Sequence, residues 1–335
     1  MARETTVTPS LPDAQAAAPA TAISLSRVGV TGVEKVIRVS VNGDEQLYYA
    51  ELESLVDLPP EQAGVHMSRF EEVVNEAIDG VVLGEAALRA EGLAAHIAER
   101  VRERQGGLRA EVQIKARYPE TVPAPVSGTP TQEIYTLFGT AVSSEKGTRT
   151  LTGVEAQGMT ACPCAQGLVG EAARERLTAH GYDSTQIDEI LEAVPVATHN
   201  QRGIGRLYIG RCEEGGPDID ARALLRIVES SMSSEIYELM KRSDEQAVVE
   251  KAHRQPRFVE DVVREMIRQV TEEFGDLGDE CFVMSRQENL ETIHRHNVVA
   301  ERYGLLSEIR GELASGDHSR HHTTMREWLE QPTAS

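Results

Sequence analysis

The sequence predicts an α+β protein made of two units that share one element order, strand–strand–helix–helix–strand–strand. Three observations carry that expectation. Leu108, Ala110, Val112, Ile114, Ala116 and Tyr118 alternate with charged or polar residues, the period of a half-buried strand. Phe70, Val73, Val74, Ala77 and Ile78 recur at helical spacing. The same order of elements then returns from about Thr148. Antiparallel sheets backed by helices follow from such a pattern.

Residues 1–22 are rich in Ala, Pro and Thr and are expected to form a flexible segment. The first unit spans 23–147. Val36–Val41, Asn42-Gly43 and Gln46–Tyr49 read as a hairpin with a tight primed turn. Ser68 with Glu71 reads as a capping box opening the first helix. A second helix runs from about Glu85 to Arg104 and stops at Gly106-Gly107. The strand at 108–118, a Pro/Gly/Ser stretch at 119–130 and a strand at 134–142 complete the unit.

The second unit spans 148–315. Strand-like residues 148–158 lead to Cys162, and 167–193 read as a helical insertion of two short helices, 171–180 and 185–193. A strand follows at 204–212, with helices near 219–238 and 259–274. Strands are expected at 280–285 and beyond His294, then a helix at 303–313 and a polar tail over 316–335.

The net charge is −20, from 54 acidic and 34 basic residues. That field opposes non-specific binding to nucleic acid or an anionic membrane, and it also repels a triphosphate. A phosphate site must therefore be a local basic island or carry a metal. The acids are spread along the chain, as in a protein of a salty cytoplasm. No apolar run approaches a membrane span, and four cysteines without a disulfide-like framework fit a reducing cytoplasm.

Two of those cysteines stand in Thr160-Ala161-Cys162-Pro163-Cys164-Ala165-Gln166. Pro163 biases Cys162 toward extended backbone, where residues two apart share a side. The pair is open to three readings: a metal ligand with a companion, a reactive thiol, or two small buried residues. Thiolate, imidazole and carboxylate together suit Zn²⁺ or Fe²⁺, and His199, Glu245, Glu260, Glu291, His294 and His296 supply the rest of such a set. Glu291 and His294 share a face on a helical turn; in a strand Glu291 serves better as a base. His318, His321 and His322 are assigned to solvent, and Cys212 and Cys281 to the core. Arg69, Arg202, Lys241-Arg242 and Arg254–Arg257 form basic islands that either pair with the abundant acids or cradle phosphates.

Six motifs in order carry a resemblance: Gly64–Phe70 (GVHMSRF), Cys162-Pro163-Cys164, His199-Asn200-Gln201-Arg202, Ser243-Asp244-Glu245, Phe258-Val259-Glu260-Asp261 and Glu291-Thr292-Ile293-His294. From about Leu11 to Ala300 the chain resembles the metal-dependent GTP cyclohydrolases of the IB type and their archaeal, methanopterin-pathway relatives. The resemblance implies a bimodular tunnelling fold, assembled as a dimer or tetramer into barrels with active sites at subunit interfaces. It implies GTP as substrate and a metal-activated water that attacks C8 of guanine, so that formate leaves and a dihydropterin ring closes. One divalent metal serves each site, with Fe²⁺ favoured over Zn²⁺ or Mn²⁺.

Carried over by motif, Cys162, His199, Glu245 and His294 are metal ligands, and Cys162, His199, Glu291 and His294 serve catalysis. Glu260 anchors the guanine N–H edge, and Arg69, Arg202 and Lys241 contact phosphates. The insertion and the Ala165-Gln166 ending point to the archaeal branch, whose product is the 2′,3′-cyclic phosphate of 7,8-dihydroneopterin. The alternatives are the triphosphate product, a tunnelling-fold nitrile reductase with a cysteine nucleophile, and a non-catalytic scaffold with a closed structural metal site.

Overall fold

The structure is a computed structural model that describes residues 15, 17–41, 44–83, 89–211, 219–317 and 321–331. One continuous antiparallel sheet forms its backbone. The first half contributes β1 (Leu25–Val41), β2 (Asp44–Leu58), α1 (Met67–Leu83), α2 (Ala90–Gln105), β3 (Arg109–Pro123) and β4 (Pro130–Ser144). The second half contributes β5 (Gly147–Ala161), the excursion α3 (Pro163–Ala179) and α4 (Ser184–Ala193), then β6 (Asn200–Arg211). It continues with α5 (Ala221–Ser230), β7 (Ser234–Glu235), α6 (Arg242–Arg254), α7 (Val259–Glu273), β8 (Phe282–Leu290), β9 (Val298–Leu305), α8 (Leu306–Ser315) and α9 (Met325–Glu330). The strands lie in the order β1-β2-β3-β4-β5-β6-β8-β9, with β7 pairing beside β5. The expected strand–strand–helix–helix–strand–strand order is observed in the first half, and the second half follows it with β7 and α6 added between α5 and α7. The expected unit boundary after 147 falls at the start of β5, just past the turn across which Ser144 faces Gly147.

Strand alternation divides the core between the two faces of the sheet. Leu137, Val154, Leu207, Ile209 and Val283 face the helices and pack with Val73 of α1, Ile97 of α2, Leu224 of α5 and Met266 of α7. Phe138 and Tyr208, one residue out of phase, point to the opposite face. Where α2 crosses β4, a Cβ on Gly139 would stand 2.2 Å from the Ala90 carbonyl carbon, so only glycine admits the helix this close.

Part of the sheet's second face is covered by α9. Trp328 is fully buried there among Phe138, Leu151, Tyr208 and Phe282. Its ring fills the space that a Cβ on Gly210 would need, at 2.5 Å. The indole nitrogen donates to the Glu280 carbonyl (2.9 Å), and the Arg149 guanidinium stacks 4.5 Å from the ring centroid. The polar tail expected over 316–335 therefore contains a packed helix; a single Trp in a polar stretch gives no periodicity to read.

Other expectations shift for local reasons. Helix α1 starts at Met67, which puts Ser68 inside the first turn instead of at the cap, and Glu71 pairs with Lys35 (3.1 Å). The helix expected over 219–238 ends at Ser230. A run of serines follows, and the Ser231 hydroxyl turns back to the Ile227 carbonyl (2.6 Å). Helix α6 was not expected. Asp244 opens it by accepting from the Lys241 N–H (2.8 Å), and Val248 and Ala252 give it one narrow buried stripe. The Asn42-Gly43 turn, Glu85, Cys212 and His318 lie outside the described residues. Among the described residues no helix is long and apolar enough to cross a membrane.

The two halves are tied by polar contacts between the β3–β4 hairpin and the second half. Asp244 is fully buried and accepts from the Val126 and Ser127 N–H groups (2.8 Å each) and the Ser127 hydroxyl (2.7 Å), which holds its carboxyl well below the usual range. Tyr135 donates to Glu229 (2.8 Å) across the same joint. Burial, reinforced by Glu235, Glu120 and Glu133, pushes the Glu229 carboxyl up to about 7.

An acid whose folded pKa is raised binds more protons folded than unfolded. The Glu229 contribution is thus full below pH 4.5 and is lost as pH rises to about 7. Glu229→Gln should flatten stability over that window and raise it by about 3 kcal/mol at pH 8, read from urea unfolding across pH. Trp328→Ala should cost about 3–5 kcal/mol in the same assay, through the cavity left between α9 and the sheet.

Candidate active site

The β5–β6 ladder ends with Ala161 opposite Asn200. One step further, the Cys162 N–H donates to the His199 carbonyl (3.1 Å), so these two residues face each other across the strand ends. The excursion between them is closed at its neck. Thr198 donates its hydroxyl to the Cys162 carbonyl (2.7 Å), and the Gln166 amide reaches the Val196 and His253 carbonyls (3.0 and 2.6 Å).

Cys162 is also the N-cap of α3, with extended backbone, and Pro163 occupies the first helical turn, where a missing N–H costs nothing. Its Sγ accepts from the Ala165 N–H (3.4 Å). Because the helix begins at Pro163, Cys164 turns away and is exposed. The expectation that both thiols share one side required extended backbone through 164, and the helix start removes it.

Cys162 and His199 open into a cavity of about 250 Å³, also lined by Gln201, Arg257, Glu260, Asn289, Glu291, His294 and His296. Glu260 stands in the first turn of α7. Glu291, His294 and His296 come from the β8–β9 connection, which is neither helix nor strand; Thr292 anchors it to the Asn200 carbonyl (3.1 Å). Glu291 Oε2 lies 3.8 Å from His199 Nδ1, both side chains largely buried. His294 and His296 stack at 5.1 Å between ring centroids. Arg257 fixes one wall, since its N–H donates to Ala161 (3.0 Å) and its guanidinium to the Ser230 and Ser231 carbonyls (3.2 and 2.6 Å).

Five of the residues expected at the site thus line one cavity: Cys162, His199, Glu260, Glu291 and His294. Four do not. Glu245 is exposed on α6, because its neighbour Asp244 is the residue drawn inward. Lys241 is exposed just before that helix. Arg202 follows Gln201 on β6 and so points to the other face, where it meets Gln157 (3.2 Å). Arg69 sits on α1 and donates to the Arg104 carbonyl (3.1 Å). Sequence reasoning assigned Gln201 and Asn289 no role of their own and read Arg257 only as part of the 254–257 basic island. Gln201 was within reach, since residues two apart on a strand share a side with His199.

Sulfur, imidazole and carboxylate in one solvent-connected cavity are the donor types that suit a borderline divalent metal. Among the described residues no three His, Cys, Asp or Glu side chains stand close enough to hold an ion as they are. The donor chemistry fits, with Cys162 and His199 fixed by the sheet and the remaining donors on separate elements.

Comparison with known proteins places this geometry in a family. A sequence model described as "Type I GTP cyclohydrolase folE2" matches residues 11–300. The chain is 39% identical over 308 residues to the GTP cyclohydrolase MptA of Methanococcus maripaludis strain C5, covering 90% of this chain and 97% of that one. It is 40% identical over 309 residues to the MptA of Methanocaldococcus jannaschii, covering 90% and 98%. Among solved structures, the uricase of Arthrobacter globiformis shares the fold, with a TM-score of 0.50 and 9% identity over 88% of this chain and 96% of that one. The tunnelling fold expected from the motifs is therefore the fold of this chain. An ordered match across both halves, at such identity to full-length relatives, makes the chain a member of the folE2 type I GTP cyclohydrolases, an enzyme family.

Proposed function

We propose that the protein opens the imidazole ring of GTP as the first committed step of a methanopterin-type pterin synthesis, giving formate and a dihydroneopterin phosphate. The observation that carries this reading is the meeting of Cys162 and His199 across the β5–β6 ends, in one cavity with Glu260, Glu291 and His294. Family membership and the MptA relatives support it. The favoured product is 7,8-dihydroneopterin 2′,3′-cyclic phosphate.

Cys162 and His199 would hold one divalent ion, Fe²⁺ in our reading, with a further ligand from Glu291, His294 or, through a neighbouring subunit, Glu245. When bound, such an ion would supply Lewis acidity, making water a competent nucleophile at neutral pH. Glu260 accepts the two N–H groups of the guanine edge, a geometry that suits a carboxylate, and so presents C8 to the cavity floor. Water adds at C8 and the C8–N9 bond breaks; a second water releases C8 as formate. Glu291 and His294 take and return the protons of these steps. Ring closure onto the ribose carbons expels one water, and attack of the side-chain 2′-hydroxyl on the α-phosphorus expels diphosphate to leave the cyclic phosphate.

A homo-oligomer with sites between subunits is part of the proposal. Among the described residues β1 pairs only with β2 and β9 only with β8, which leaves both sheet edges open, and Val36, Leu47 and Tyr49 are exposed on the β1–β2 face. Arg69, Arg202 and Lys241, outside the cavity of their own chain, would contact phosphates across such an interface.

Anaerobic incubation with GTP and Fe²⁺ should release formate, and mass analysis should find the cyclic phosphate; NADPH consumption with a nitrile substrate in place of formate release would overturn the reading. Cys162→Ala and His199→Ala should each abolish turnover while the protein stays folded by circular dichroism. Glu260→Gln should weaken GTP binding more than metal binding, measured by calorimetry; equal losses would remove Glu260 from the guanine.

A further inference from the structure

Gln201 lies between the sheet and the ring of His199. It is buried, its amide nitrogen donates to the Thr160 hydroxyl (2.9 Å), and its amide oxygen lies 3.0 Å from His199 Nδ1. Thr160 is the cross-strand partner of Gln201 and is also buried. The amide is therefore held on both sides by residues of the β5–β6 ladder. Glu291 Oε2 stands 3.8 Å from the same ring nitrogen. Two oxygen acceptors thus surround Nδ1, and a bare lone pair there would face both of them. An N–H at Nδ1 donates to the Gln201 oxygen, and the Glu291 carboxylate, too far for a hydrogen bond, favours the same proton through its charge.

We propose that Gln201 is a positioning residue: with Thr160 behind it, it holds His199 as the Nδ1–H tautomer and turns an unprotonated Nε2 toward the cavity as a ligand. The assignment rests on the metal reading above for its purpose, but not for its geometry. In a neutral imidazole one nitrogen donates and the other accepts, so whichever group binds the first decides what the second can do. Partners of this kind, one bond removed from a metal, orient the ring and raise its basicity. Gln201 lies outside the residues carried over from the family motifs, and its role would be invisible to a search for ligand types, since an amide is neither a metal ligand nor an acid.

The test uses the full-length, metal-free protein labelled with ¹⁵N-histidine, with His199 assigned by the signal lost in His199→Asn. Long-range ¹H–¹⁵N spectra at a pH where the ring is neutral should show the proton on Nδ1. Gln201→Glu, which keeps an acceptor at the same place, should preserve that signature. Gln201→Met, which removes the acceptor but keeps the volume, should shift the ring toward the Nε2–H form. It should also lower affinity for added Zn²⁺, measured by competition with a chromophoric chelator, on the order of ten- to a hundredfold. A wild-type ring protonated on Nε2 overturns the proposal, as does a Gln201→Met protein with unchanged tautomer and unchanged Zn²⁺ affinity. Should Gln201→Met fail to fold, the wild-type spectrum alone decides. Because none of these readouts involves GTP, a failed cyclohydrolase assay leaves the tautomer question separate.

Discussion

The backbone hydrogen bond from Cys162 to the His199 carbonyl is the contact on which the rest of the site depends. It is the last rung of a long antiparallel ladder, and the register of that ladder is set by core side chains far from the cavity, Val154 with Leu207 among them. A slip of one residue would turn every side chain of β6 to the wrong face and carry Gln201 away from Thr160 and His199 away from Cys162. The hydrophobic core thus specifies the chemistry indirectly, through register. Helix α7 is drawn to the same point by the Arg257 N–H on Ala161, which brings Glu260 to the cavity.

Charge is organised at two scales. Over the whole chain the excess of acids repels anions. At the cavity Arg257 stands with Glu260 and Glu291, and three histidines with Gln201 and Asn289 make up most of the remaining polar lining, so local composition departs from the bulk. At the joint between the halves acids are put to structural use. Asp244 is ionised and saturated with N–H donors, whereas Glu229 is buried among other carboxylates and resists ionisation. Two carboxylates on one joint thereby answer pH in opposite directions, because Asp244 is surrounded by donors whereas burial, with other carboxylates nearby, outweighs the single Tyr135 donor at Glu229.

Much of the fold was legible because periodicity reports burial directly. The strands at 108–118 and 134–142 and the α7 helix stand where alternation and helical spacing put them. What escaped depends on single long-range contacts. The end of α5 at Ser230 follows from serine hydroxyls and from Arg257 capturing two carbonyls, and no local window contains Arg257. Trp328 is silent in a polar stretch until Gly210 is known to lie beneath it. At the site, ordered motifs identified which residues gather, yet Ser243-Asp244-Glu245 shows the limit of that reading. Two adjacent acids look equivalent in sequence, and only the hairpin at Val126 and Ser127 distinguishes the one that is buried.

The excursion of α3 and α4 hangs from a narrow neck in which Thr198 donates to the Cys162 carbonyl and Gln166 to the carbonyls of Val196, before β6, and His253, on α6. Helix α3 buries none of its own side chains. Its first turn is different, because Cys162 caps it and the Sγ accepts from the Ala165 N–H, so unwinding there would reach the thiol directly. The far turns of α3 can thus change at little cost to the core, whereas the turn at Pro163 cannot change without moving a reacting group.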